Sequence, residues 1–160
     1  MVTFYIYQVI YLKLKKIKEM KKILFGSIEN SNRTDFVIAL LRVFVGLSLM
    51  LAHGTGKIPV SDKFIEHTAQ LGFPLPVFFA WAAALSEYVG AFLLAIGLFT
   101  RPASILIALT MFTAAFVSHA GDPFGTVEKA YLYLAISVLF AVLGSGRFGV
   151  DSFMRRKLNI

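Results

Sequence analysis

The chain has 160 residues, of which 58% are hydrophobic and only 16% charged, with a mean hydropathy of +0.74 and a formal net charge of +7. An ordinary soluble domain is about 25% charged, so long apolar runs in so weakly charged a chain imply an integral membrane protein. The absence of Cys excludes disulfides, Cys-ligated metals, iron–sulfur clusters and thiol redox chemistry on this chain, and nucleic acid is excluded as a partner because Lys and Arg gather at the edges of apolar runs.

Met1 to Leu12 is apolar and aromatic, too short to span, and has no basic region before it, so a cleaved leader is not expected. From Ile10 the apolar positions Ile10, Leu14, Ile17, Met20 and Leu24 recur at helical spacing, with lysines on the other side. This predicts a basic amphipathic helix lying on the cytoplasmic membrane surface. The plainer alternatives are a disordered extension over residues 1–19 or translation starting at Met20. Residues 1–30 are therefore set apart as an N-terminal extension, 31–151 as the membrane domain and 152–160 as a basic cytoplasmic tail.

The first span is predicted from Phe36 to Ala52, extending to His53, with Thr34 or Asp35 as its cap. Arg42, Gly46, Leu49 and His53 share one face, since eleven residues are close to three helical turns. The loop from Gly54 to Pro76 carries Lys57, Asp62, Lys63, Glu66 and His67, and a short amphipathic helix is expected from Val60 to Leu71, ended by Gly72.

The second span, Phe78 to Phe99, is almost wholly apolar and long enough to cross the roughly 30 Å hydrocarbon core. Glu87 sits near its middle. A carboxylate there costs roughly 2.5–3.5 kcal/mol on insertion scales, so it must face protein or a water-filled cavity. Ala80, Ala83, Gly90 and Gly97 form a small-residue stripe with it and mark the buried face, with Phe92, Leu93 and Ile96 turned to lipid. Pro102 predicts a turn.

The third span is expected from Ala103 to His119, with Ser104, Ala108, Met111, Ala115 and His119 on one stripe, and the fourth from Glu128 to Leu143, broken by Gly144, Gly146 and Gly149. Placing the termini and Arg101 inside puts twelve Lys/Arg in the cytoplasm and three, Lys57, Lys63 and Lys129, outside. That bias predicts both termini in the cytoplasm and a four-transmembrane-helix up-down bundle, an all-α fold in the bacterial inner membrane.

On this topology Arg42 starts about 9 Å, and Glu87 about 18 Å, from the cytoplasmic edge. Arg42 can snorkel inward, so an Arg42–Glu87 pair is the simplest expectation. Such a pair could equally do no more than set helix register. His53, Lys57 and His119 fall near the outer surface. Two imidazoles on separate helices could ligate a b-type haem, but His at helix ends more often makes interfacial hydrogen bonds. Neither haem nor a metal ion is expected. Phosphate-loop, dinucleotide and hydrolase motifs are absent.

Arg42 and Gly46 in LRVFVGLSLMLAHGTGK, His53, Gly54 and Lys57 in a His-Gly-x-x-Lys pattern, Glu87, Gly90, Gly97, Thr100 and Arg101 along the second span, and GRFGVD at Gly146–Asp151 together resemble the DoxX family of small bacterial four-helix membrane proteins. The resemblance implies the fold and a link to membrane redox complexes, some relatives being subunits of thiosulfate:quinone oxidoreductases. Three functions stay open. The first is a quinone-binding subunit with Glu87 as a candidate proton-handling group and Arg42, His53, Lys57 and His119 as ligand-binding candidates, docked to a redox partner protein. The second is a non-catalytic scaffold. The third is a proton-coupled carrier working as a homo-oligomer.

Overall fold

The computed structural model describes residues 7, 8, 11–13, 15 and 32–158. The chain divides into two units, 1–34 and 35–160. In the first, the described residues between 7 and 15 are helical and exposed. The apolar positions expected to define an amphipathic face there, and Met20, lie outside the described residues.

Among the described residues the fold is all-helical. Four helices are long and apolar enough to cross a membrane: α1 (Asn32–Lys57), α3 (Pro76–Ile96), α4 (Thr100–Ser118) and α5 (Phe124–Leu143). The short α2 (Asp62–Gln70) lies in the long connection, and α6 (Val150–Leu158) follows the last span. The expected spans and loop helix are thus present, with shifted ends. Ser61 caps α2 by accepting from the Phe64 N–H, and Gly72, at φ +86°, follows it. Asp35 is inside the first turn of α1 rather than capping it, where its charge meets the positive end of the helix dipole. The turn expected at Pro102 lies earlier, at Gly97–Phe99. Pro102 sits in the first turn of α4, where a missing N–H costs little.

Neighbouring spans run antiparallel. Arg42 meets Leu94 and Ala95, while Gly54 meets Glu87, so α1 and α3 are opposed. Ser86 reaches Thr110 with an oxygen–oxygen distance of 2.8 Å, and a Cβ on Gly90 would meet Ile107. Arg101 at the start of α4 bonds Val142 near the end of α5, and Phe116 packs on Tyr131. His53 lies edge-on to Tyr133, pairing the end of α1 with the first half of α5. This is an up-down four-helix bundle with one end carrying the α3–α4 corner and α6 (the basic end) and the other carrying α2 (the loop end).

All four spans feed the core through Leu49, Ala91, Leu94, Ile107, Met111 and Phe140. On α3 the buried positions are Ala80, Ala84, Ser86, Glu87, Gly90, Ala91, Leu94 and Ala95, close to the predicted stripe, with Ala84 more buried than Ala83. Phe44, Phe78, Phe92, Leu109 and Val142 are exposed and belong to the lipid-facing perimeter.

Small residues decide how closely the spans approach. A Cβ on Gly46 would stand 2.6 Å from the Ala91 carbonyl oxygen and 2.7 Å from the Ala95 nitrogen. These are backbone atoms and cannot swing aside. Gly46→Val should therefore force α1 off α3 and cost about 1–3 kcal/mol, the range for overpacking. Gly125→Ala, at a site with nothing within 4 Å, should be neutral. Detergent melting temperatures of the two variants check this; equal melting points would remove the close α1–α3 approach.

Candidate functional site

The bundle holds polar clusters at both ends. At the basic end, α3 stops in a Schellman turn: Gly97, at φ +74°, donates to the Leu94 carbonyl, and Leu98 donates to that of Leu93. The Arg42 guanidinium completes this helix end. Its Nη1 donates to the carbonyls of Leu94 at 2.8 Å and Ala95 at 2.9 Å, and its Nη2 reaches that of Phe148 at 3.5 Å. Arg42 is 2% exposed. A Cβ on Gly97 would collide with Arg42 Nη1 and stand 2.7 Å from the Gly149 Cα, so glycine is needed there both for its φ and for space.

Asp151, on the first turn of α6, closes the same corner. Its carboxylate accepts from the Phe99 N–H at 2.8 Å, the Thr100 N–H at 3.0 Å and the Thr100 hydroxyl at 2.9 Å. Its own N–H donates to the Gly97 carbonyl. Asp151 therefore caps α4 from outside that helix, while Phe99 adopts φ +47° at the cap position.

The expected Arg42–Glu87 pair is not formed, which corrects the depth argument. Carbonyls at the end of α3 lie at Arg42's own level, so Nη1 and Nη2 find acceptors without snorkelling, while Nε is buried with no hydrogen-bond partner among the described residues. The partner of Glu87 is instead Lys57. The first span does not end at His53 but continues through a π-helical turn, Met50–Gly54, and a 3-10 turn, Thr55–Lys57. Glu87 lies in a second π turn, Ser86–Gly90. Gly54 brings the two together: a Cβ there would lie 2.5 Å from the Glu87 carbonyl oxygen and 2.8 Å from the Tyr88 Cα. With the backbones in contact, the next turn of α1 carries Lys57 over the carboxylate. Lys57 Nζ donates to both Oε1 and Oε2 at 2.6 Å.

The pair is asymmetric. The Glu87 side chain is 2% exposed and the Lys57 side chain 31%. The ammonium also stands 5.2 Å above the Phe64 ring on α2. An ammonium has three donors and the carboxylate uses two, so one N–H remains for a further acceptor. The other predicted residues make contacts of their own. His53 is half-buried against Tyr133. His119 shares a 2.9 Å contact with Asp122 in the turn after α4. Among the described residues, no three His, Asp or Glu side chains gather as a metal site. Two further contacts were not anticipated: His67 on α2 shares a hydrogen bond with Ser118, and Ser86 with Thr110.

A multi-pass helical bundle with an ion pair sunk between its first two spans defines the class of protein. The DoxX family matches residues 37–120, and the chain belongs to that family. A Bacillus subtilis protein named "Putative oxidoreductase CatD" is 34% identical over 72% of this chain and 84% of its own length. An uncharacterized protein of Haemophilus influenzae is 30% identical over 76% of this chain and 93% of its own. The inner membrane protein YphA of Escherichia coli is 26% identical over 72% of this chain and 89% of its own. No solved structure matches.

The asymmetry of the pair sets the order of variant stabilities. Lys57→Met strands a buried carboxylate and should cost about 3 kcal/mol. Glu87→Gln leaves an ammonium that can turn towards solvent and should cost less. Combining the two should be milder than Lys57→Met alone. Thermal melts of all three proteins in one detergent test this; a Glu87→Gln variant weaker than Lys57→Met would reverse the assignment of the buried partner.

Proposed function

We propose that this DoxX protein is a quinone-interacting subunit of a membrane oxidoreductase complex, with Lys57 and Glu87 as the polar end of its quinone site. The observation that carries the reading is the two-pronged Lys57–Glu87 pair, buried on the acid side and half-open on the amine side. The naming of the Bacillus subtilis relative as an oxidoreductase supports it.

The residues fit a quinone head group. The unspent N–H of Lys57 can donate to a carbonyl oxygen, and the Phe64 ring beside it offers an apolar face. Bound quinone would supply two-electron, two-proton redox chemistry. The chain's own part is to bind, orient and handle protons: Lys57 holds the carbonyl, and the Glu87 carboxylate takes up or gives up a proton through the ammonium. With no Cys in the chain, electrons come from a partner protein and not from thiols here.

In this reading the loop end faces outward. The excess of Lys and Arg at the basic end and at the N-terminus supports both termini lying in the cytoplasm of a bacterial cell. The name of the Escherichia coli relative favours the inner membrane.

Two experiments test the proposal. Reporter fusions after Asp62 and Asp122 should read outside and one after Arg101 inside; an outside signal at Arg101 overturns the orientation. Quinone extracted from the purified protein should be retained by the parent and fall about tenfold in Lys57→Met and Glu87→Gln, the loss of one charge-assisted hydrogen bond. Folded, membrane-inserted variants that keep the parent's quinone content would make the pair a packing device and the protein a scaffold.

A further inference from the structure

At the opposite end of the bundle a cavity of about 380 Å³ opens between the α3–α4 corner, the end of α5 and α6. Its wall is amphipathic. Leu98, Leu143 and Met154 supply the apolar side, and Arg101 and Arg155 the charged side. Among the described residues, one hydrogen bond is seen on each guanidinium. Arg101 Nη2 donates to the Val142 carbonyl at 3.2 Å, and Arg155 Nη2 to the Ser152 hydroxyl at 2.9 Å. Gly144 leaves room for the first, since a Cβ there would lie 3.3 Å from Arg101 Nε.

Neither guanidinium is bridged to a carboxylate among the described residues. Asp151 also lines the cavity, but its oxygens are engaged by the start of α4. Two positioned cations, most of whose donors have no partner among the described residues, thus share one cavity with an aliphatic wall. The cavity lies where the apolar parts of α4 and α5 meet the polar end of the bundle, the level of lipid headgroups. Phe99, Phe148 and Phe153 are exposed around this end, beside the basic run Arg155, Arg156 and Lys157. Aromatic and basic residues together are the pattern of a helix seated in a membrane interface.

We propose that this cavity binds an anionic phospholipid, its phosphate held between Arg101 and Arg155 and the start of an acyl chain lying along Leu143 and Met154. A free phosphate would satisfy the arginines but leave the aliphatic wall unused. A zwitterionic lipid would bring its own cation to two guanidiniums. The site is separate from the Lys57–Glu87 pair and does not depend on what that pair does.

The test uses the full-length protein purified from membranes containing phosphatidylglycerol and phosphatidylcholine, with bound lipid read by native mass spectrometry. The parent should be enriched in phosphatidylglycerol. Arg101→Gln and Arg155→Gln should each lower that enrichment about fivefold, and the double variant further, while Lys129→Gln, an equal charge change at the other end, leaves it intact. In parallel, short-chain phosphatidylglycerol should raise the parent's melting temperature, and glycerol phosphate or inorganic phosphate should not. This second measurement needs no variant to fold. A folded double variant with the parent's phosphatidylglycerol content, or stabilisation by inorganic phosphate equal to that by the lipid, overturns the proposal.

Discussion

Arg42 has to find its hydrogen bonds inside the protein, because the hydrocarbon around α1 offers none. It finds them on the carbonyls of Leu94 and Ala95, at the end of the neighbouring span. This solves two problems at once. The two terminal nitrogens of the guanidinium find acceptors, and a helix end that lacks intrahelical partners gains donors. Gly97 must stay bare to admit the fork, and its left-handed conformation turns the chain away from it. Gly46, one turn beyond Arg42, must stay small so that α1 lies close enough for the fork to reach. The corner between α3 and α4 is therefore built around one side chain from α1.

The loop end follows the same logic with the roles exchanged. The buried group is an acid, the reaching group is an amine, and the small residue is Gly54. What differs is the backbone. Both helices widen into π turns where they meet, and such turns often occur at functional sites. Tightening either turn into regular α-helix would rotate the residues beyond it by about 100° per residue removed, and Lys57 would no longer face Glu87. The pair thus depends on the irregular turns as much as on the two charges.

The four spans, the loop helix and the buried face of α3 were legible because each rests on apolar runs, caps and small residues close together in sequence. The family resemblance also carried over, the family match covering residues 37–120. The pairing of the charges was not legible. Depth counted along regular helices put Lys57 in a loop and Arg42 opposite Glu87, since nothing in the residue types announces a π turn. Arg42's true partners are main-chain carbonyls, which every residue carries and which no composition signal marks. Asp151 was missed as a cap because the residues it caps lie 51 and 52 positions earlier. A motif can mark a carboxylate after a span, but not which distant helix start it will meet when the fold brings it back.

That long return has a consequence for assembly. Spans enter the membrane in the order of synthesis, so α3 and α4 are in place while the segment after α5 is still on the ribosome. Through that interval the Phe99 and Thr100 amides at the start of α4 lack the carboxylate that caps them, and the Gly97 carbonyl lacks the Asp151 N–H. A segment made only after all four spans is what finishes a corner laid down some fifty residues before. A nascent chain stopped after α5 would hold all four spans and still lack its latch.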